Sequence, residues 1–284
     1  MRIGIVGPAD RAVAWENHLR PHRTVSEVVI AGKLSEIGNV DACLLMDDEQ
    51  PDNLDRLLTA VKSGYHTFLI APIPTDTKQV EKIYHAAEES NVLVQFSHWP
   101  TLAPASKWMA KKIEKPSFLQ INRELNYSEF AESNHPFEYY WIDELAFCLR
   151  WVNGSVHHID LKTVELSKKH LYALHMMLRF ESGATANIFV NVTAKNSRHQ
   201  RMAANNHFIV NCDVLEQSVR LGEENGDGHL FFNSKTFDAS KSAELAALEF
   251  LKSIQLKRET IYNAYQLWKL NKTIDKIKKR LARV

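Results

Sequence analysis

The chain has 284 residues, 45% of them hydrophobic and 24% charged, which excludes a disordered tail or a fibre and leaves room for about two domains. Lys and Arg number 35 against 34 Asp and Glu, a net charge of +1, so no global field draws it to nucleic acid or to an anionic membrane. No apolar run approaches the roughly 18 residues needed to cross a bilayer. The opening residues lack a signal-peptide core, so a cytoplasmic location is expected. The three cysteines, Cys43, Cys148 and Cys212, are far apart and show no metal or disulfide spacing.

The first hundred residues alternate short apolar runs with helical periodicity. Strands are expected at Arg2 to Gly7, Val25 to Ala31, Ala42 to Met46, Thr67 to Ile70 and Val92 to Phe96. Helices are expected at Ala9 to Leu19, from Pro51 and Asp52 to Gly64, and after the capping pair Asp76 and Gln79. Strands alternating with helices imply a parallel sheet. Its ligands belong beyond the carboxyl ends of the strands, after Val6, Met46, Ile70 and Phe96.

After Pro100 the pattern changes. A helix is predicted over Thr101 to Ile113, a strand over Phe118 to Leu125 and a helix over Phe137 to Val152. Strands follow at Thr163 to Leu166, Tyr172 to Phe180, Ala184 to Val192, His207 to Asn211 and Ser218 to Leu221, the grammar of an antiparallel sheet. Two helices close the chain, near Ala243 to Leu256 and Glu259 to Leu281. The expected fold is a doubly wound α/β Rossmann-like domain over residues 1–100, then an α+β domain with a mostly antiparallel open sheet over 101–284. The final helices would pack back on the first domain.

This order of elements resembles the glucose–fructose oxidoreductase / inositol dehydrogenase (Gfo/Idh/MocA) family over nearly the whole chain. The likeness rests on Arg2-Ile3-Gly4-Ile5-Val6-Gly7, Val40-Asp41-Ala42-Cys43-Leu44-Leu45, Ala60 to Thr67, Trp151-Val152-Asn153-Gly154 and Arg179 to Ala184. The resemblance implies a Rossmann domain that binds NAD or NADP. It also implies a sugar, inositol or related polyol as ligand, and a homo-oligomer formed through the carboxy-terminal sheet. Gly7, Pro8, Ala9 and Ala12, then Asp47, Ala71 and Pro72, occupy the corresponding cofactor positions.

Several family features are altered. A phosphate-binding turn of this type needs a glycine for the turn, a second for close approach of the pyrophosphate and a small residue under the helix. Here Gly7 and Ala12 fit, but the middle glycine is Ala9, with Asp10 beside it. The chain between Ala31 and Asp41 is too short for the usual helix–strand insert, so the adenosine half of the site is trimmed. The family's proton-transferring lysine falls on Ala71, with Pro72 retained after it. Its His-Asp-x-Asp pattern falls on Glu144, Leu145, Ala146 and Phe147.

Asp143, Glu144 and His98 remain as candidate acid–base groups. His98, Trp99, Tyr139, Tyr140 and Trp141 are candidate walls of a ligand cleft, where aromatic faces would stack on a sugar-like molecule. The same aromatic residues could instead form an interdomain core or an oligomer contact. No metal site is expected among the 13 histidines, which show no ligating spacing. Two readings follow. The favoured one is a non-catalytic binding or assembly protein; the alternative is an active NAD(P)-dependent oxidoreductase with rearranged catalytic groups.

Overall fold

The computed structural model describes residues 1–46, 53–133, 135–167 and 170–282. The first strands and helices are β1 (Arg2–Val6), α1 (Ala9–Leu19), β2 (Glu27–Ala31), β3 (Ala42–Met46), α2 (Asn53–Lys62), β4 (His66–Ile70), α3 (Thr77–Ser90) and β5 (Val94–Phe96). The strands form one parallel sheet in the order β2-β1-β3-β4-β5. Between β2 and β3 the chain makes only the short 3-10 turn Leu34–Glu36. Among the described residues no strand lies outside β2, which is therefore an edge.

The second half begins with α4 (Trp99–Leu102), α5 (Pro104–Lys112), β6 (Phe118–Asn126), α6 (Tyr127–Glu132) and α7 (Phe137–Val152). Next come β7 (Val156–Ser167), β8 (His170–Phe180), β9 (Thr185–Ala194), β10 (Arg198–Ala204), β11 (Phe208–Asp213), β12 (Ser218–Glu224) and β13 (Leu230–Thr236). The helices α8 (Ser242–Gln255) and α9 (Ala264–Leu281) end the order. The eight strands form one sheet in the order β13-β12-β11-β10-β6-β9-β8-β7. Every neighbouring pair is antiparallel except β6 with β9. The expected fold class, a Rossmann-like sheet followed by a mostly antiparallel one, is the observed one.

The chain divides into two compact units: Met1–Leu102 with Ser240–Asp275, and Ala103–Ala239 with Lys276–Val284. In the first, Ile3 and Ile5 of β1, Leu44 of β3, Phe68 of β4 and Trp15 of α1 share a core with Ala246, Ala247, Phe250 and Leu251 of α8. The apolar face of α8 thus completes a core that the first hundred residues leave open. In the second unit, α7 buries nearly its whole length, from Phe137 to Trp151. Among the described residues no helix is long and apolar enough to cross a membrane.

Four departures from the predicted elements have local causes. The helix expected over Thr101 to Ile113 is split, because Ala103 takes an extended conformation (ψ 137°) ahead of Pro104. The proline ring disfavours helical backbone in the residue before it. β10 escapes an apolar-alternation reading because its inward side chains include His199 and Arg201. β13 escapes it because all seven of its residues are exposed. The strand expected over Thr163 to Leu166 starts earlier, at Val156, through polar residues including His157, His158 and Asp160.

Candidate functional site

In the first unit, the turn after β1 is set by a close approach. A Cβ on Gly7 would lie 2.7 Å from the Met46 Cβ, so only glycine lets β1 and β3 end side by side there. Pro8 then opens α1, and the Ala12 amide donates to the Pro8 carbonyl at 2.9 Å. No side chain caps this helix start. Ala12 is buried beneath it, while Ala9 and Asp10 are exposed. The tight turn, the small seating residue and the uncapped helix end suit a phosphate. Ala9 and Asp10 add a methyl group and a negative charge at that approach.

The adenosine side fits less well. The carboxylate nearest the end of β2, Glu36, accepts the Lys33 amide at 3.1 Å and so closes a local turn. Asp47 lies outside the described residues. At the end of β4, Ala71 is tied to β5 through Ser97. The Ser97 Oγ accepts the Ala71 amide at 3.0 Å and donates to the Ala71 carbonyl at 2.9 Å. Ala71 thus holds a fixed backbone position and offers only a methyl group there. Pro72, next to it, is exposed.

His98 and Trp99 follow β5. His98 is 1% exposed, with Nδ1 2.6 Å from the Thr101 hydroxyl and its ring 4.8 Å from that of Tyr262. It is packed in rather than presented. Trp99 is partly exposed and stacks on Trp15, with 6.3 Å between ring centres.

The second unit holds a buried charge cluster around α7. Glu144 is fully buried, and its two oxygens meet the Arg201 guanidinium from β10 in a bidentate pair, with Nε to Oε2 and Nη2 to Oε1 both at 3.0 Å. Arg201 also donates to the Ser106 hydroxyl at 2.8 Å, and its guanidinium lies 4.0 Å over the Phe147 ring. Arg123 of β6 reaches Glu144 at 3.3 Å and Asp143 at 3.5 Å, and covers the Tyr140 ring at 4.7 Å. His199 places Nε2 2.9 Å from Glu144.

These neighbours separate the two carboxyls. Burial alone would raise Glu144, but Arg201, His199 and Arg123 hold it well below the usual carboxylate range. Asp143 is pushed up to about 7 by burial, against the pull of Arg123 and with the Glu144 charge adding to the rise. Burial lowers His199 to about 4 despite Glu144, so the imidazole is neutral near pH 7. Tyr139 is raised to about 12, first by burial and then by Asp143. The chemical consequence is specific: Glu144 is a locked anion, whereas Asp143 exchanges a proton near neutrality.

The structure therefore brings Asp143, Glu144, Tyr139 and Tyr140 together. The Tyr140 hydroxyl lies 2.8 Å from that of Ser133, and Tyr139 stacks on His135. Trp141 does not join them. It is fully enclosed in the core, so its place as a cleft wall is corrected to a packing role. Sequence reasoning missed Arg123, His199, Arg201 and Ser106. One signal was available. Glu144 lies among Ile142, Leu145, Ala146 and Phe147, and a carboxylate that is buried and charged needs a cation. Among the described residues no group of three or more His, Cys, Asp or Glu side chains could hold a metal ion.

Neither a protein-family model nor a curated protein sequence matches the chain. Solved structures do. UDP-N-acetylglucosamine 3-dehydrogenase GnnA from Acidithiobacillus ferrooxidans superimposes with a TM-score of 0.78 at 13% identity, over 96% of this chain and 95% of that one. The dehydrogenase MviM from Clostridium difficile gives 0.78 at 14% identity, over 99% of both chains. A levoglucosan dehydrogenase, solved with NADH and levoglucosan, gives 0.76 at 11% identity, over 100% of this chain and 97% of that one. The shared feature is the two-domain dehydrogenase fold.

Proposed function

We propose that this chain is a Gfo/Idh/MocA-family protein that binds a small, sugar-like molecule, or serves in assembly, without carrying out hydride transfer. The observation that carries this reading is the pair of replaced proton-transfer positions. Where the resemblance places a lysine, the chain has Ala71, whose side chain moves no proton. Where it places a histidine, the chain has Glu144, whose carboxylate is closed off by two arginines. The ligand class is supported by the fold's likeness to dehydrogenases whose names specify UDP-N-acetylglucosamine and levoglucosan. In this reading the protein is cytoplasmic and binds neither nucleic acid nor membrane. Its dinucleotide site keeps the phosphate turn, and Glu36, the described carboxylate that follows β2, is engaged in a local turn with Lys33.

Calorimetric titration with NAD+, NADH, NADP+ and NADPH tests the cofactor part, with weak or no binding expected. Saturable micromolar binding of any of the four would overturn it. Turnover of a polyol by the wild-type chain would overturn the non-catalytic part. One observation favours the alternative, an active NAD(P)-dependent oxidoreductase on a sugar, inositol or related polyol. Asp143 is poised near neutral pH, as an acid–base group must be. Loss of such turnover in Asp143→Asn would assign the chemistry to that residue.

A further inference from the structure

A cavity lies in the first unit, at the amino end of β5 and so at the opposite end of the sheet from the phosphate turn. It has a volume of about 200 Å³ and is walled by α3, the approach to β5 and the start of α9. Two tyrosines, Tyr84 and Tyr265, and two glutamates, Glu88 and Glu259, line it, and no basic residue is among its described lining. Among the described residues neither glutamate has an ion-pair partner. The Asn263 side-chain Nδ2 donates to the Glu259 Oε2 at 3.1 Å and orients that carboxylate.

The walls are fixed rather than loose. The Thr260 hydroxyl donates to the Val94 carbonyl at 2.6 Å, and the Phe96 amide donates to the Tyr262 carbonyl at 2.9 Å. These bonds pin the segment before α9 along β5. The aromatic wall continues behind the cavity. Tyr84 stacks on Trp268 with ring centres 5.4 Å apart, and Tyr265 lies 5.8 Å from Tyr84 and 6.0 Å from Trp268. Behind the cavity the same ring cluster already carries a cation, the Lys272 ammonium, 3.5 Å from the centre of the Trp268 ring.

Ring faces carry negative quadrupole potential, and carboxylates add full charge. A pocket that combines both and contains no base selects a cation. A cavity of about 200 Å³ suits a compact alkylated group better than a bare inorganic ion. We propose that this pocket binds a small organic ammonium ion through the rings of Tyr84 and Tyr265 and the charges of Glu88 and Glu259. The inference is independent of whether the chain binds a dinucleotide or a sugar.

The test uses choline as the probe and 3,3-dimethyl-1-butanol, which has the same shape without the charge, as its control. Calorimetry on the full chain should give saturable binding of choline and none of the alcohol. Tyr265→Ala and Glu259→Gln should each weaken choline about tenfold. Both residues are exposed, so the variants should keep the wild-type circular dichroism and unfolding midpoint. No saturable binding of choline, equal binding of the alcohol, or unchanged affinity in both variants would overturn the proposal.

Discussion

At the scale of single residues, the charge cluster around α7 makes opposed contributions to stability. Asp143 is raised from 3.8 to about 7, so between those values the folded chain holds a proton that the unfolded chain has lost. Its contribution to stability therefore falls as pH rises through that window. His199 is lowered from 6.5 to about 4, so there the unfolded chain holds the extra proton and the contribution rises with pH. The two slopes nearly cancel between about pH 4 and 6.5. Substitution should uncover each in turn. In urea titrations across that range, Asp143→Asn should gain stability with rising pH and His199→Gln should lose it. Parallel profiles for both variants and the wild type would contradict this assignment. Glu144→Gln should cost about 3–5 kcal/mol, because it leaves Arg201 as a buried charge without its anion.

At the scale of elements, the strongest dependence on distant sequence is that of β1, β3 and β4 on α8. Phe250 is fully buried and lies 5.6 Å from the Phe68 ring, which also meets Trp15 edge-on at 5.6 Å. Phe250→Ala should destabilise the first unit by about 3–5 kcal/mol, read from its urea unfolding transition. A cost under about 1 kcal/mol, the scale of a surface change, would mean that α8 is an accessory to that core. The elements most legible in the sequence were those with clean periodicity. α1, β3 and α7 have the predicted bounds, and the Asp76 carboxylate caps α3 by accepting the Gln79 amide at 2.9 Å. β10 and β13 were not legible, since one turns charge inward and the other has no buried face.

At the scale of the whole molecule, the free edge of the eight-stranded sheet bears on assembly. β13 ends the strand order and exposes Leu230, Phe231 and Phe232 by 67, 52 and 57%. An edge strand with three exposed large apolar residues is a surface that proteins normally cover. The adjoining sheet face is polar. Asn122, Gln200, Asp213, Ser218 and Thr236 follow one another in register from β6 to β13 along a groove of about 460 Å³. The expected homo-oligomer through this sheet would cover both features. Light scattering should give a multiple of the chain mass for the wild type and a lower one for Phe231→Lys with Phe232→Glu. A monomeric wild type would remove this proposal.

The sequence by itself determined the fold class, because the two hydrophobic periods are written locally and change after Pro100. It also determined that positions 9 and 71 are alanines, whose side chains offer a methyl group and no ionisable proton. Only the tertiary structure decided which carboxyl is locked as an anion and which exchanges a proton near neutrality. Asp143 and Glu144 are neighbours in one helix, and nothing local separates them. Their difference is set by Arg201 and His199, 57 and 55 residues beyond Glu144 in the chain, which β10 places beneath the helix. Burial and Coulomb attraction act through space, so the protonation of such a pair is a property of the packed molecule and not of the helix that carries it.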